Sequence, residues 1–108
     1  MIIPIPLQSL PNQQLSTVLD GQECQITLRQ IGTRLYGTLA VDGETVYENA
    51  ICHHAMSIKA YPTSAFKGTL FFLDTYGQEA PQWEGLGTRW MLYYASEDEQ
   101  IYQDMMNV

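Results

Sequence analysis

The sequence is poor in charged residues, and poorest in basic ones. Asp, Glu, Lys and Arg make up 16% of its 108 residues, where about a quarter is typical of soluble domains. Five basic side chains against twelve acidic ones leave a net charge of −7. Because basic side chains hold proteins on phosphate groups, this balance argues against stable binding to DNA or RNA and against binding to an anionic membrane surface.

Long apolar runs are also missing. No stretch approaches the roughly 18 consecutive apolar residues of a membrane-spanning helix. Residues 1–7 contain two prolines and lack the basic flank of a signal peptide, so we expect the chain to be made and kept in a cytoplasm. In that reducing compartment the two cysteines, Cys24 and Cys52, are predicted to be free thiols in an apolar core.

Polar and apolar residues alternate along most of the chain, which is the period of a half-buried β-strand. Asp20-Gly21 and Asp42-Gly43 stand between alternating runs, where an Asp-Gly pair is typical of a two-residue hairpin turn. We predict an all-β fold over residues 1–95, a small single-domain β-barrel or sandwich built on an antiparallel meander. The predicted strands are residues 13–19, 22–31, 34–41, 44–50, 69–74 and 89–95.

The two ends of the chain differ from this pattern. Residues 1–7 are predicted to form an extended N-terminal arm, either an edge strand or a segment lying on another protein, because prolines cannot donate to a ladder. In the C-terminal tail, residues 96–108, Ser96 and Glu99 have the spacing of a capping box that starts a helix. So short a helix is marginal alone, which leaves three outcomes: it docks on its own domain, docks on a neighbour, or frays.

Regular alternation also fails at two internal places. Residues 51–67 suggest a crossover with a short helical turn ahead of Pro62. Residues 75–88 form a long loop, for which Trp83 is the predicted anchor. The candidate interaction residues are Trp83 and the apolar side chains of the two ends, namely Ile2, Ile3, Ile5, Leu7, Ile101, Tyr102, Met105 and Met106.

Cys52, His53 and His54 have the side chains of metal ligands. Adjacent residues on an extended chain point to opposite sides, so both histidines cannot reach one ion. We therefore expect no metal site here.

A Cys–His nucleophilic pair would need a flanking signature, and none surrounds either cysteine.

Asp74 could act with Glu79 or Glu84 as an acid and base. A carboxylate at the end of a strand more often caps the following turn, and we expect that role for Asp74. Residues 85–88 lack both the glycine spacing and the lysine of a phosphate-binding loop, which favours a plain turn. The sequence thus predicts neither catalytic residues nor a cofactor.

Several segments, in their order, resemble one family. They are Ile3-Pro4-Ile5-Pro6-Leu7, Val18-Leu19-Asp20-Gly21, Cys24-Gln25-Ile26-Thr27-Leu28-Arg29, Gly68-Thr69-Leu70-Phe71-Phe72-Leu73-Asp74 and Leu86-Gly87-Thr88-Arg89-Trp90-Met91-Leu92-Tyr93-Tyr94. The set resembles the baseplate plug proteins of contractile-tailed bacteriophages, over about residues 3–95.

This resemblance implies a structural virion protein and not an enzyme. The chain would be present in several copies at the centre of the tail baseplate, where the tail tube meets the hub. Its partners would be itself and other tail tube, hub or baseplate proteins. The resemblance further implies assembly in the host cytoplasm, and the acidic charge balance leads us to expect no stable binding to nucleic acid or membrane.

Two other functions remain open from the sequence. One is a small ligand-binding or enzymatic β-barrel with a pocket near the loop at residues 75–88, for which Trp83 would form the rim. The other is a host-encoded anti-phage or regulatory interaction module.

Overall fold

The computed structural model describes residues 2–58 and 66–106. These residues form seven β-strands, a turn of 3-10 helix at Trp83–Gly85, and one α-helix, α1 (Gln100–Met106). The strands are β1 (Ile2–Ile5), β2 (Asn12–Leu19), β3 (Gln22–Ile31), β4 (Arg34–Val41), β5 (Glu44–Ile51), β6 (Gly68–Asp74) and β7 (Trp90–Ser96). The all-β prediction is confirmed, and most predicted strand ends agree within one residue.

The strands form two antiparallel sheets. One is the predicted meander, with β2, β3, β4 and β5 side by side in chain order. The other has three strands in the order β1, β7, β6. Both Asp-Gly pairs form the predicted turns: Asp20 has φ 51° and Gly21 φ 76°, while Asp42 has φ 51° and Gly43 φ 87°. Positive φ at both positions is what a type I′ hairpin turn requires.

The main core lies between the two sheets, where alternate side chains of the strands point inward. Leu28 on β3, Leu35 and Leu39 on β4, and Leu92 on β7 have no exposed surface. Full burial of one such side chain contributes about 1.5–3 kcal/mol. The period-two pattern therefore stabilises the fold by putting its apolar members on one face of each sheet.

One side of the sandwich is joined by the segment at residues 52–58. The N–H of Ala55 donates to the Phe72 carbonyl at 2.7 Å, and the N–H of Ile58 donates to the Leu70 carbonyl at 3.0 Å. The segment thereby covers the outer edge of β6. The helical turn expected ahead of Pro62 lies outside the described residues.

The opposite side of the sandwich is open. β1 and β2 are the outer strands of their sheets there, and no ladder joins them in residues 2–58 and 66–106. Of the two predicted architectures, the sandwich is therefore the one observed within these ranges. In the described part of the chain, no helix has both the length and the apolar character to cross a membrane.

Candidate interaction surfaces

The apolar residues of the N-terminal segment have different surroundings. Ile2 is 47% exposed, whereas Ile5 is 2% exposed and belongs to the main core. Ile3 and Leu7 are half-buried against that core. The segment is an edge strand of the chain's own sheet, paired with β7, so Ile5 cannot contact a partner while the domain is folded. Contact through Ile2 stays a prediction.

The C-terminal helix docks on its own domain, which was one of three predicted outcomes. Ile101 and Tyr102 are half-buried and pack with Phe71 and Ala95. This cluster lies apart from the main core, so α1 gives the three-stranded sheet a second apolar layer. The side chains of Met105 and Met106 lie outside the description, and their interaction role stays a prediction.

The helix begins later than its capping signal predicts. The N–H of Glu99 donates to the Ser96 carbonyl at 3.0 Å, closing a turn, and α1 starts only at Gln100. The Ser96 hydroxyl donates to the Asp98 carboxylate, and this contact lowers the pKa of Asp98. The acidic residues thus form the turn before the helix instead of its first turn.

Trp83 is held against the domain, as expected for the anchor of the long loop. Its side chain is half-buried against the main core. The backbone N–H of Trp83 donates to Gln30 Oε1 at 3.2 Å, and the Ser9 hydroxyl donates to the Trp83 carbonyl at 3.2 Å. A role for Trp83 in contacting a partner stays a prediction.

Asp74 organises the same loop from its other end. Its side chain has no exposed surface, and its two oxygens accept the backbone N–H groups of Tyr76 at 2.9 Å and Glu79 at 3.0 Å. The predicted role as a turn cap is confirmed. Both Asp74 oxygens also accept from Arg89, and the guanidinium holds the pKa of this carboxyl well below its usual range.

Arg89 was missed by the sequence analysis. It bonds Glu79 as well as Asp74 and lies over the Trp90 ring, 4.4 Å from the ring centre. Arg89 lies at the start of a predicted strand, and no local pattern indicates a partner that stands fifteen positions earlier in the chain. The network closes the loop on itself, so these acids are occupied by structural contacts.

The Cys52-His53-His54 segment is divided among three environments. Cys52 is buried in the main core. His53 Nδ1 accepts from Arg34 at 3.0 Å. His54 Nδ1 accepts the backbone N–H of Asp74 at 2.9 Å. Each histidine is therefore used to position a neighbouring element.

Both cysteines are free and buried. Burial raises the pKa of the Cys24 thiol to about 11 and that of the Cys52 thiol to about 12. Burial likewise raises the pKa of Tyr47, and burial together with a hydrogen bond to Asp20 raises the pKa of Tyr94. These groups are protonated at neutral pH, which makes the thiols poor nucleophiles.

Comparison with known proteins supplies the family. A family model described as cyanophage baseplate Pam3 plug gp18 matches residues 2–97, a range that contains all seven strands and ends before α1. No curated protein matches the chain significantly. The match agrees with the resemblance in the sequence, and the chain therefore belongs to the family of the cyanophage Pam3 baseplate plug gp18, as a structural plug protein of a phage tail baseplate.

Proposed function

We propose that this plug is a non-catalytic component at the centre of the baseplate, where the tail tube meets the hub. It is present in several copies and contacts other copies of itself and tube, hub or baseplate proteins. It is made in the host cytoplasm, becomes part of the virion, and binds neither nucleic acid nor membrane stably. The observation that carries the proposal is the family match over residues 2–97.

The chemistry of the side chains supports a structural role. Asp74 is neutralised by Arg89 and already accepts two backbone N–H groups. The thiols of Cys24 and Cys52 are buried and protonated at neutral pH. The groups with the clearest pKa shifts thus serve the fold.

The loop at residues 75–88 gives little support to the alternative of a ligand-binding barrel. Asp74 and Arg89 close this loop, and Trp83 packs on the main core instead of forming a free rim. An open depression of about 550 Å³ lies elsewhere, on the four-stranded sheet, where Ser16, Glu23 and Thr45 are among the residues that line it.

The net charge also suits a plug. With twelve acidic residues against five basic ones, the chain repels a phosphate backbone instead of retaining it. A plug that must let DNA pass benefits from this repulsion.

The test uses tailed particles assembled with a tagged copy of the chain. Gold-labelled antibody against the tag should mark only the baseplate end of purified tails. After mild dissociation, the tagged chain should remain with the tube–hub fraction. Label along the tail or on the head, or absence of the chain from washed particles, would overturn the proposal.

A further inference from the structure

Two sheets have four outer strands, β1, β6, β2 and β5. Free strand edges invite pairing with other chains, so natural β-proteins protect them with prolines, charges, bulges or covering segments. Three of these edges carry such protection, and each has a different device.

The edge of β1 is protected by proline. The N–H of Thr75 donates to the Arg89 carbonyl. In an antiparallel sheet one such bond fixes which residues of each strand bond to which neighbouring strand. From the register, the backbone N–H and C=O groups of Ile3 and Ile5 face β7, and those of Ile2 and Pro4 face outward. Pro4 has no N–H, so Ile2 offers the one outward donor within this strand. An added strand would find few partners there.

The edge of β6 is covered by the segment at residues 52–58. Its outward carbonyls at Leu70 and Phe72 accept backbone N–H groups of that segment. The outward N–H of Asp74 donates to His54. This edge is therefore already occupied by the chain itself.

The edge of β5 is irregular and acidic. Its pairing with β4 shifts register twice, and Asn49 has a positive φ of 49°. The exposed residues Glu44 and Glu48 lie on the same strand. A bulged strand with two acids is a poor template for pairing.

Among residues 2–58 and 66–106, β2 has none of these devices. It pairs with β3 in unbroken register over eight residues, and its sequence Asn-Gln-Gln-Leu-Ser-Thr-Val-Leu holds no proline and no charge. The N–H of Gln30 donates to the Pro11 carbonyl, so every second residue from Gln13 bonds to β3. The N–H and C=O groups of the alternate residues face outward, and no described residue bonds them; these residues are Asn12, Gln14, Ser16 and Val18.

We propose that the outer edge of β2 receives an extended strand from another baseplate protein, which continues the four-stranded sheet. This inference rests on the proposed function, since a plug must be held by its neighbours. The contact is strand addition, in which backbone hydrogen bonds hold the partner and alternate side chains select it.

A second copy of this chain is a less suitable occupant. Each copy carries a net charge of −7, and the protected edges of β1, β5 and β6 leave only β2 to pair with β2. Such a pairing is two-fold and closes after two copies, so it cannot extend to further neighbours.

The side chains around β2 define the chemistry of the incoming strand. Leu15 on the inner face is half-buried beside the main core, and Val18 on the outer face is 61% exposed, so apolar residues are expected opposite both. On β3, exposed Glu23 lies beside Val18 and exposed Arg29 beside Asn12. The strand should therefore carry a basic residue toward the Glu23 end and an acidic one toward the Arg29 end.

Amide hydrogen exchange resolved to single residues tests this contact on the unmodified chain, free and in purified baseplates. In the free chain the amides of Gln13, Leu15 and Thr17 should be protected, while those of Asn12, Gln14, Ser16 and Val18 exchange rapidly. In baseplates this second set should exchange at least about 100-fold more slowly. Rapid exchange of that set in baseplates that contain the chain would overturn the inference and leave the proposed function intact.

A matched pair of proline variants gives an independent readout. Ser16→Pro removes an outward N–H from β2 and costs no bond within the fold. Thr45→Pro makes the same change on the protected strand β5, because Glu44 pairs with Val41 at the hairpin turn and the N–H of the next residue faces outward. Incorporation into particles should fall at least about tenfold for Ser16→Pro and stay unchanged for Thr45→Pro. Equal incorporation of the two folded variants would contradict the inference. If Ser16→Pro does not fold, the exchange measurement decides.

Two other outcomes have their own consequences. Absence of the unmodified chain from baseplates would refute the proposed function. A dimer of the free chain with a protected β2 edge would show that a second copy is the occupant and would overturn the inference.

Discussion

Arg89 donates two parallel hydrogen bonds of 2.8 Å to Asp74, from Nε to Oδ1 and from Nη2 to Oδ2. The two residues lie at either end of the long loop between β6 and β7. The side chain of Asp74 has no exposed surface, and that of Arg89 is 27% exposed. A bidentate pair in this setting is geometrically specific, and removing the Asp74 carboxylate would leave Arg89 with the exposed Glu79 as its acidic partner.

Replacing Asp74 by Asn should therefore loosen the loop and lower the melting temperature by at least about 10 °C. The matched control is Glu79→Gln, which removes the exposed second partner of Arg89 and should shift the melting temperature by no more than a few degrees. Calorimetry of both variants measures the difference. Similar small shifts would mean that Asp74 does not organise the loop.

The same pair predicts a pH dependence. Because Arg89 lowers the pKa of Asp74 in the folded chain, the contribution of this carboxylate to stability is present above its unfolded pKa of about 3.9 and is lost as the pH falls toward the folded pKa. The difference in melting temperature between the parent chain and Asp74→Asn should stay constant above about pH 5 and shrink below about pH 4. A difference that changes between pH 6 and 8 would assign it to another group.

Gly87 is expected to tolerate no side chain. It has φ 82°, and a Cβ built on it would lie 2.7 Å from the Leu7 carbonyl oxygen. Gly32→Ala is the control, because Gly32 has φ 60° with nothing within 4 Å of its Cβ position. The free energy of unfolding, measured by denaturant titration, should fall by about 1–2 kcal/mol for Gly32→Ala and by at least about 1 kcal/mol more for Gly87→Ala. Equal losses would show that residues 7 and 87 do not approach closely.

The buried thiols predict a change of stability at alkaline pH. The pKa values of Cys24 and Cys52 are raised to about 11 and about 12, against about 8.5 when unfolded. The stability that comes from keeping them protonated is complete below about pH 8.5 and falls as the pH rises toward the folded values.

Because both thiols are buried and protonated at pH 8, thiol reagents at that pH should react slowly with the native chain and find two thiols in denaturant. Finding no thiols in denaturant without reductant would mean a disulfide.

The docking of α1 predicts a modest contribution to stability. Ile101→Ala should lower the free energy of unfolding by about 1–2 kcal/mol, because the half-buried side chain packs with Phe71 and Ala95. Asp104→Ala, at an exposed position of the same helix, should change it by less than about 0.5 kcal/mol. Urea titration compares the two, and equal effects would mean that the helix does not dock in solution.

The strands could be predicted because their signals are local. Alternation shows which face of a strand is buried, and each Asp-Gly pair supplies its own turn, so β2 to β5 needed no information from distant residues. The depth of Ile5 could not be predicted in this way, because it depends on pairing with β7 at the other end of the chain.

The candidate sites were harder to predict for the same reason. Asp74 could be assigned as a turn cap from its position at a strand end, whereas Arg89 became its partner only through the closure of the loop. The start of α1 shifted because the acidic residues after Ser96 form a turn first. The contrast among the four sheet edges appears only when register and covering segments are known.

The central claim, that this family member sits at the baseplate centre between tube and hub, is tested most directly by electron cryomicroscopy of tails that carry the chain. We expect density for a two-sheet domain of about 32 × 28 × 20 Å at the tail axis, between the last tube ring and the hub. Density for this domain at the baseplate periphery, or a baseplate centre filled entirely by other chains, would contradict the account.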